Sequence, residues 1–304
     1  MKQIRTLQEY KAYLAAVRES GKTIGFVPTM GFLHKGHLSL VEQAKKDNDV
    51  VVMSIFVNPL QFGPNEDFER YPRDEARDTQ LAASAGVDVL FLPSVEEMYP
   101  TPIRTLVKVE GVTERLCGAS RPGHFDGVAT VVMKLFHIIQ PQRAYFGWKD
   151  AQQVAVIEQM VRDLNVPVQV VPCATLREPE GLAMSSRNVY LSPEHREQSV
   201  VLHRSLQRIE EWLADPGLTA DALEHLLAQS IRTAKDADID YVQVLKYPSL
   251  EPLEGPLSAA GTFIAAAAVR FGQTRLIDNR LFDGAAGPNP KTSNETEVDV
   301  CSAP

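Results

Sequence analysis

The sequence predicts an α/β protein: an open parallel sheet followed by a smaller α+β unit. From residue 24 to about 177, short apolar runs alternate with helical patterns. That order builds parallel strands joined by right-handed crossovers. Residues 50–57 are apolar almost without a break, as in a strand covered on both faces. Beyond Leu191 the alternation lapses, and helices and strands follow in irregular order.

A helix opens the chain. Thr6 and Glu9 form a capping-box pattern, and Leu7, Tyr10, Leu14 and Val17 recur at helical spacing until Gly21. Residues 20–23 end like a P-loop, but Ala16 stands where its first glycine is required and the order is helix then strand. Residues 24–28 form a strand, Gly31 a turn, and His34 to His37 the first turn of a helix continued by Leu38, Leu40, Val41 and Ala44. After strand 50–57 come a loop at 58–63, a helix over 74–85 and strands at 87–92 and 105–109. Residues 127–139 are apolar nearly all round, which predicts a central helix. Strand 144–146, a helix from Asp150 to Leu164 and strand 168–171 complete the first domain, residues 1–177. In the second, 178–283, Ser192 and Pro193 start a long helix that residues 215–217 break, and Thr219 caps another reaching about Ala234. Strands follow at 241–245, 262–269 and 274–277. Residues 284–304, rich in Gly, Pro, Asn, Ser and Thr, read as a disordered tail.

With 304 residues the chain can bury one large core or two. A net charge of −8 argues against a general nucleic-acid or membrane binder, since those carry a basic face. Cys117, Cys173 and Cys301 form no CxxC pair, which argues against a zinc site or a disulfide framework and fits a reduced, cytoplasmic setting. The amphipathic N-terminus lacks a signal-peptide core, and no run approaches a membrane span.

The chemistry gathers on four loops: 29–37, 58–63, 147–153 and 181–188. The first three follow strands and should open at one sheet edge, where open parallel sheets bind ligands. A helix N-terminus there offers free N–H groups and a positive dipole end, which suits phosphate. His34 and His37 sit at that end; they lack the spacing and third ligand of a metal site. Lys149 opposes the dipole of the helix it starts, which implies an anion; Asp150 suits that position, and Gln152 or Gln153 could face the cleft. Ser185, Ser186 and Arg187 lie in a glycine-flanked loop and offer what a mobile triphosphate clamp needs, or serve as an ordinary linker. His124 is ambiguous on its own, and Cys117 reads as a small packing residue.

The segments PTMGFLHKGH, FVNPLQF with YPR downstream, GASRPGHFDGV, FGWKDAQQ and GLAMSSRN resemble, in order and spacing, the pantoate–β-alanine ligase family. HxGH alone marks only the wider nucleotidylyltransferase superfamily; the other segments narrow it. The resemblance implies a Rossmann-like domain binding ATP and pantoate, a lid-like second domain and a homodimer. It also implies an ATP-dependent, Mg²⁺-requiring condensation of pantoate with β-alanine through pantoyl adenylate, releasing AMP and pyrophosphate. By motif position, Met30, Gly31, His34, Gly36, His37, Gly147, Trp148, Lys149, Asp150, Leu176, Met184, Ser185, Ser186 and Arg187 would hold ATP. Of these, His34, His37, Lys149, Ser185, Ser186 and Arg187 would act in catalysis by stabilising negative charge on phosphate; His37 suits a charged donor better than a base, because a carboxylate nucleophile has no proton to remove. Gln61, Gln153, Asn58, Tyr71, Arg121 and His124 would hold pantoate or β-alanine, and Asp78 matches an acidic position near the metal. Many members carry Glu where Cys117 and Trp148 stand. Two other readings remain at this point: a different HxGH nucleotidylyltransferase, and a non-catalytic nucleotide sensor of the same fold.

Overall fold

The structure, a computed structural model, describes residues 1–64 and 66–284. Apart from Gly284, the tail expected over 284–304 lies outside the described residues. Six parallel strands form the main sheet: β1 (Lys2–Ile4), β2 (Ile24–Thr29), β3 (Val50–Ile55), β4 (Val89–Phe91), β5 (Arg143–Gly147) and β6 (Gln169–Cys173). Their order is β1-β4-β3-β2-β5-β6, so the chain builds outward from β2 in one direction, then restarts beside it with β5. The crevice between β2 and β5 is the switch point where such sheets take ligands. Helix α1 (Leu7–Glu19) has the expected cap, Thr6 accepting from the N–H of Glu9 at 3.2 Å. Helices α2 (Lys35–Asp47) and α3 (Glu75–Ser84) follow, then two single turns, α4 (Val95–Met98) and α5 (Cys117–Ser120). The central helix α6 (His124–Ile139) begins three residues before the predicted start, and α7 (Ala151–Asp163) links β5 to β6.

Three expectations change. Lys2–Ile4 forms an unforeseen edge strand paired with β4, with Ile4 fully buried. Residues 105–109 form no strand: the N–H of Val107 donates to the Thr130 hydroxyl of α6 instead of to a ladder. The long helix after Ser192 divides into α8 (Pro193–Ser199), α9 (Val201–Gln207) and α10 (Ile209–Trp212). At the first joint Ser199 donates its hydroxyl back to the carbonyl of Arg196 at 2.8 Å, which competes with the helical ladder. Helix α11 (Ala220–Ile231) then leads into the antiparallel sheet β7 (Ala237–Lys246), β8 (Thr262–Phe271) and β9 (Thr274–Asp283).

The two sheets are not separately cored. Ile264, Ala266 and Leu281 of the smaller sheet belong to the apolar cluster that contains Phe26, Val52, Phe125 and Trp148. Its other face packs on the helices, with Phe263, Ala265 and Phe282 against Leu206, Leu223 and Leu227.

One glycine shows how closely the site's supports pack. A β-carbon on Gly127 of α6 would lie 2.2 Å from the Leu60 carbonyl oxygen. Alanine is ordinarily favoured over glycine inside a helix by up to about 1 kcal/mol, but here the backbone contact decides the sign. Gly127→Ala is expected to lower unfolding free energy by roughly 1–3 kcal/mol, the cost of overpacking, read as a lower urea midpoint. A midpoint that stays or rises would show that α6 can ease away from the 58–61 turn.

Candidate active site

The turn from β2 to α2 is shaped by its neighbours. Gly31 has φ +85° and Phe32 φ +48°, and a β-carbon on Gly31 would sit 2.8 Å from Ile55 of the next strand. The carboxylate of Asp78, on α3, accepts the N–H groups of Phe32 and Leu33, each at 2.7 Å. Asp78 is 1% exposed, and through both of its oxygens it holds the turn.

His34 caps α2 and His37 lies one turn on, their rings stacked at 3.9 Å. The N–H of His34 donates to Nδ1 of His37 at 3.3 Å, so His37 carries its proton on Nε2. A β-carbon on Gly36 would lie 2.9 Å from Nδ1 of His34, so only glycine leaves room for that ring. Burial pushes the His34 imidazole down to about 4, and Lys149 adds to the effect. Burial likewise holds His37 well below the ordinary histidine range, with His34 and Lys149 contributing. Both shifts favour the neutral imidazole at pH 7.

β5 ends in a 3₁₀ turn, Trp148–Asp150, that delivers Lys149 to the same crevice, its Nζ 3.0 Å from Asp150. Across from it, Ser185 caps the short 3₁₀ helix Ser186–Tyr190, and Ser186 donates its hydroxyl to the Phe32 carbonyl at 3.2 Å. Arg187 lies over the Tyr71 ring and grips Asp67 with two bonds of 2.9 Å. Arg121 grips Glu66 in the same forked manner and also reaches the Gln61 carbonyl. Nδ1 of His124 donates to that carbonyl at 2.8 Å; burial, with Arg121 adding, pushes His124 down to about 4.

A cavity of about 220 Å³ lies between these elements. Its wall includes Met30, His34, Gly36, His37, Asn58, Gln61, Tyr71, Gly147, Lys149, Asp150, Gln153, Leu176, Met184, Ser185, Ser186 and Arg187. The adjoining cavity of about 530 Å³ brings in Arg121 and His124 and shares Lys149, Asp150, Gln153 and Arg187. Gln153 lines both cavities, whereas Gln152 lines only the larger one and donates to the carbonyls of Val112 and Arg115, anchoring that loop. Asn58 is 1% exposed and spends its amide on Gln61 and the Gly127 carbonyl, so it orients Gln61. Gly31 shapes the turn without lining the cavity. The Trp148 side chain packs edge-on against Tyr247 at 5.4 Å, in the core, while its backbone forms part of the turn that carries Lys149. Cys117, taken as packing, is buried but lies 3.3 Å from the Tyr241 hydroxyl and 3.5 Å from Arg275. Sequence reasoning misses Glu66 and Asp67, because two acids in a polar loop carry no pattern.

Among the described residues no group of three or more His, Cys, Asp or Glu could hold a metal ion, and no helix is long and apolar enough to cross a membrane. Mg²⁺ usually keeps several waters and binds through substrate phosphates and one or two carboxylates. Asp150, the carboxylate on the wall of the smaller cavity, suits that role and no all-protein cage.

An open parallel sheet with an HxGH turn at its switch point, facing a lysine turn and a Ser-Ser-Arg loop, defines an α/β enzyme of the nucleotide-binding kind. The chain belongs to the pantoate-beta-alanine ligase family, whose sequence profile matches residues 2–281. It is 55% identical over 283 residues to the pantothenate synthetase of Acetivibrio thermocellus, covering 93% of this chain and all of that one. Identity to the Geobacillus thermodenitrificans pantothenate synthetase is 53% over 277 residues, 91% of this chain and 95% of that one. Among solved structures, pantothenate synthetase from Thermus thermophilus superposes with TM-score 0.85 at 49% identity, covering 92% of this chain and 98% of that chain. Pantoate-beta-alanine ligase from Francisella tularensis, solved with beta-gamma ATP and beta-alanine, gives 0.74 at 36% identity, covering 95% of this chain and all of that one. The chain is therefore an enzyme that forms a C–N bond.

The histidines set an acid limit. A histidine kept neutral by burial stabilises the fold above its unfolded value near 6.5, and that contribution is lost as pH falls through its folded value near 4. Unfolding free energy is expected to drop between pH 6.5 and 4. His34→Gln, which cannot take up the proton, is expected to reduce the slope by up to about 1.4 kcal/mol per pH unit, one proton's worth. Urea titrations at several pH values measure this; equal slopes in both proteins would mean His34 protonates freely in the folded state.

Proposed function

We propose that this chain condenses pantoate with β-alanine using ATP, with the nucleotide across the β2–β5 switch point and pantoate between Gln61 and Gln153. The observation that carries the reading is convergence: the α2 N-terminus with His34 and His37, Lys149 from β5, and Ser185, Ser186 and Arg187 from the second unit face one cavity. Nδ1 of His34 is buried without a protein partner, as fits a ring that meets a ligand.

In the first step a pantoate carboxylate oxygen attacks the α-phosphorus in line. The bond to the β-phosphate oxygen breaks, and pyrophosphate leaves with the electron pair. A carboxylate nucleophile has no proton to lose, so no base is required. Catalysis then rests on alignment and on donors aimed at the developing charge. His37 offers its Nε2–H as a neutral donor, and the phosphates' negative charge draws both imidazoles toward protonation. Lys149 and Arg187 supply permanent charge once phosphate replaces Asp150 and Asp67 as their partner. Asp150 would help to hold Mg²⁺, which would supply further charge neutralisation. In the second step the neutral β-alanine amine attacks the acyl carbon, loses a proton, and AMP leaves. An acyl adenylate hydrolyses readily, so water must be excluded between steps. The loop 181–188 on the 178–283 unit serves as the lid. A homodimer, which rests on the resemblance, and a cytoplasmic setting, which rests on the cysteine usage, belong to the same reading.

Pantoate-dependent ATP–pyrophosphate exchange without β-alanine tests the adenylate route. Exchange is expected, and its absence in protein that makes AMP from the full mixture would reject the route. His37→Ala and Lys149→Ala are each expected to slow exchange roughly 10²–10³-fold, by analogy with lost oxyanion donors. Pyrophosphate release from ATP without AMP formation would favour another nucleotidylyltransferase, and no turnover at all a sensor.

A further inference from the structure

The turn that carries Lys149 is held from outside its own domain. Asn279, on the edge strand β9 of the smaller sheet, donates its side-chain amide to the carbonyls of Trp148 at 3.0 Å and Lys149 at 2.9 Å. Both hydrogens of that nitrogen are used, and its two acceptors are the consecutive carbonyls that set the turn's direction. The strand is itself firmly seated. Asp278, 3% exposed, receives a forked bond from Arg177 at 2.6 and 2.9 Å and accepts the N–H of Asn279 at 2.9 Å. Arg177 also donates to the Gly181 carbonyl and stands at the base of the clasp, paired with Ala183, that leads into Ser185, Ser186 and Arg187. Opposite Asp278 and Asn279 on β8 stand Ala267 and Ala266, small enough to let the strand approach.

We propose that Asn279 is a positioning residue for the adenylation step: its amide fixes the backbone of Lys149, so the lysine is aimed by the same unit that brings the Ser-Ser-Arg loop. Asn279 lines the larger cavity, but its one amide nitrogen is committed to the two backbone carbonyls. Its effect therefore travels through the lysine. The inference rests on the proposed role of Lys149, and a double-mutant cycle separates the two.

Pantoate-dependent ATP–pyrophosphate exchange is measured for the parent, Asn279→Ala, Lys149→Ala and the double variant, with melting curves for each. Asn279→Ala is expected to lower kcat for exchange about 10–100-fold, the scale of a displacement near 1 Å. Its KM for pantoate should stay within about threefold, because Gln61 and Gln153 are untouched. The double variant should be no slower than Lys149→Ala within about threefold, since a displaced lysine and an absent one fail alike. Losses that multiply, or unchanged kcat in Asn279→Ala beside an impaired Lys149→Ala, overturn the positioning role while leaving the lysine assignment standing. An unimpaired Lys149→Ala removes the lysine assignment, and this proposal with it. Asn279→Asp, equal in size but without the amide donors, should reproduce the loss with an unchanged melting profile. If neither single Asn279 variant folds, the residue is structural and the proposal is overturned.

Discussion

The structure turns on one buried carboxylate. A fully enclosed Asp is costly unless its oxygens are well satisfied. Asp78 meets that condition by accepting two backbone N–H groups from the β2–α2 turn. That turn needs the support, since Phe32 sits in a left-handed conformation that costs an L-residue about 1–2 kcal/mol. Ile55 closes the space under Gly31, and Ser186 holds the Phe32 carbonyl from the other side. With the turn fixed, α2 starts where its free N–H groups face the switch point, and the two histidine rings stack into the crevice.

The cleft also shows how a protein of net charge −8 gathers cations without exposing them. Arg187 is partnered by Asp67, Arg121 by Glu66 and Lys149 by Asp150. On the proposed reading, a phosphate-bearing ligand would exchange one anion for another instead of meeting bare charge. The histidines take the opposite course: burial strips their protons, so they present donors without a standing charge to desolvate. Affinity for phosphate then depends on what Asp67 and Asp150 give up as well as on what Arg187 and Lys149 offer.

Much of this was legible in the sequence where a residue's role follows from its neighbours along the chain. The runs at β2, β3 and α6, the cap at Thr6, and the convergence of four loops need only local pattern. Lys2–Ile4 was not legible because three residues cannot display a period, and 105–109 misled because an extended, apolar segment resembles a strand until its hydrogen bonds are counted. For the site, local pattern names positions and says little about state. Nothing local says that burial would neutralise His34 and His37, that Trp148 would turn into the core, or that Asp78 would spend itself on backbone. Glu66, Asp67 and Asn279 act across 55 to 131 positions of chain, where sequence pattern is silent.

The apolar cluster that runs through both sheets has a mechanical consequence. Ile264, Ala266 and Leu281 are packed with residues of the main sheet, so swinging the smaller unit away as a rigid body would expose that surface at about 25 cal/mol for each Å². A hinge there would have to reopen on every turnover against the cohesion of the interior. That packing opposes a wholesale swing of the smaller unit, while the ion pair of Arg187 with Asp67 at the rim of the larger cavity can part without uncovering the interior.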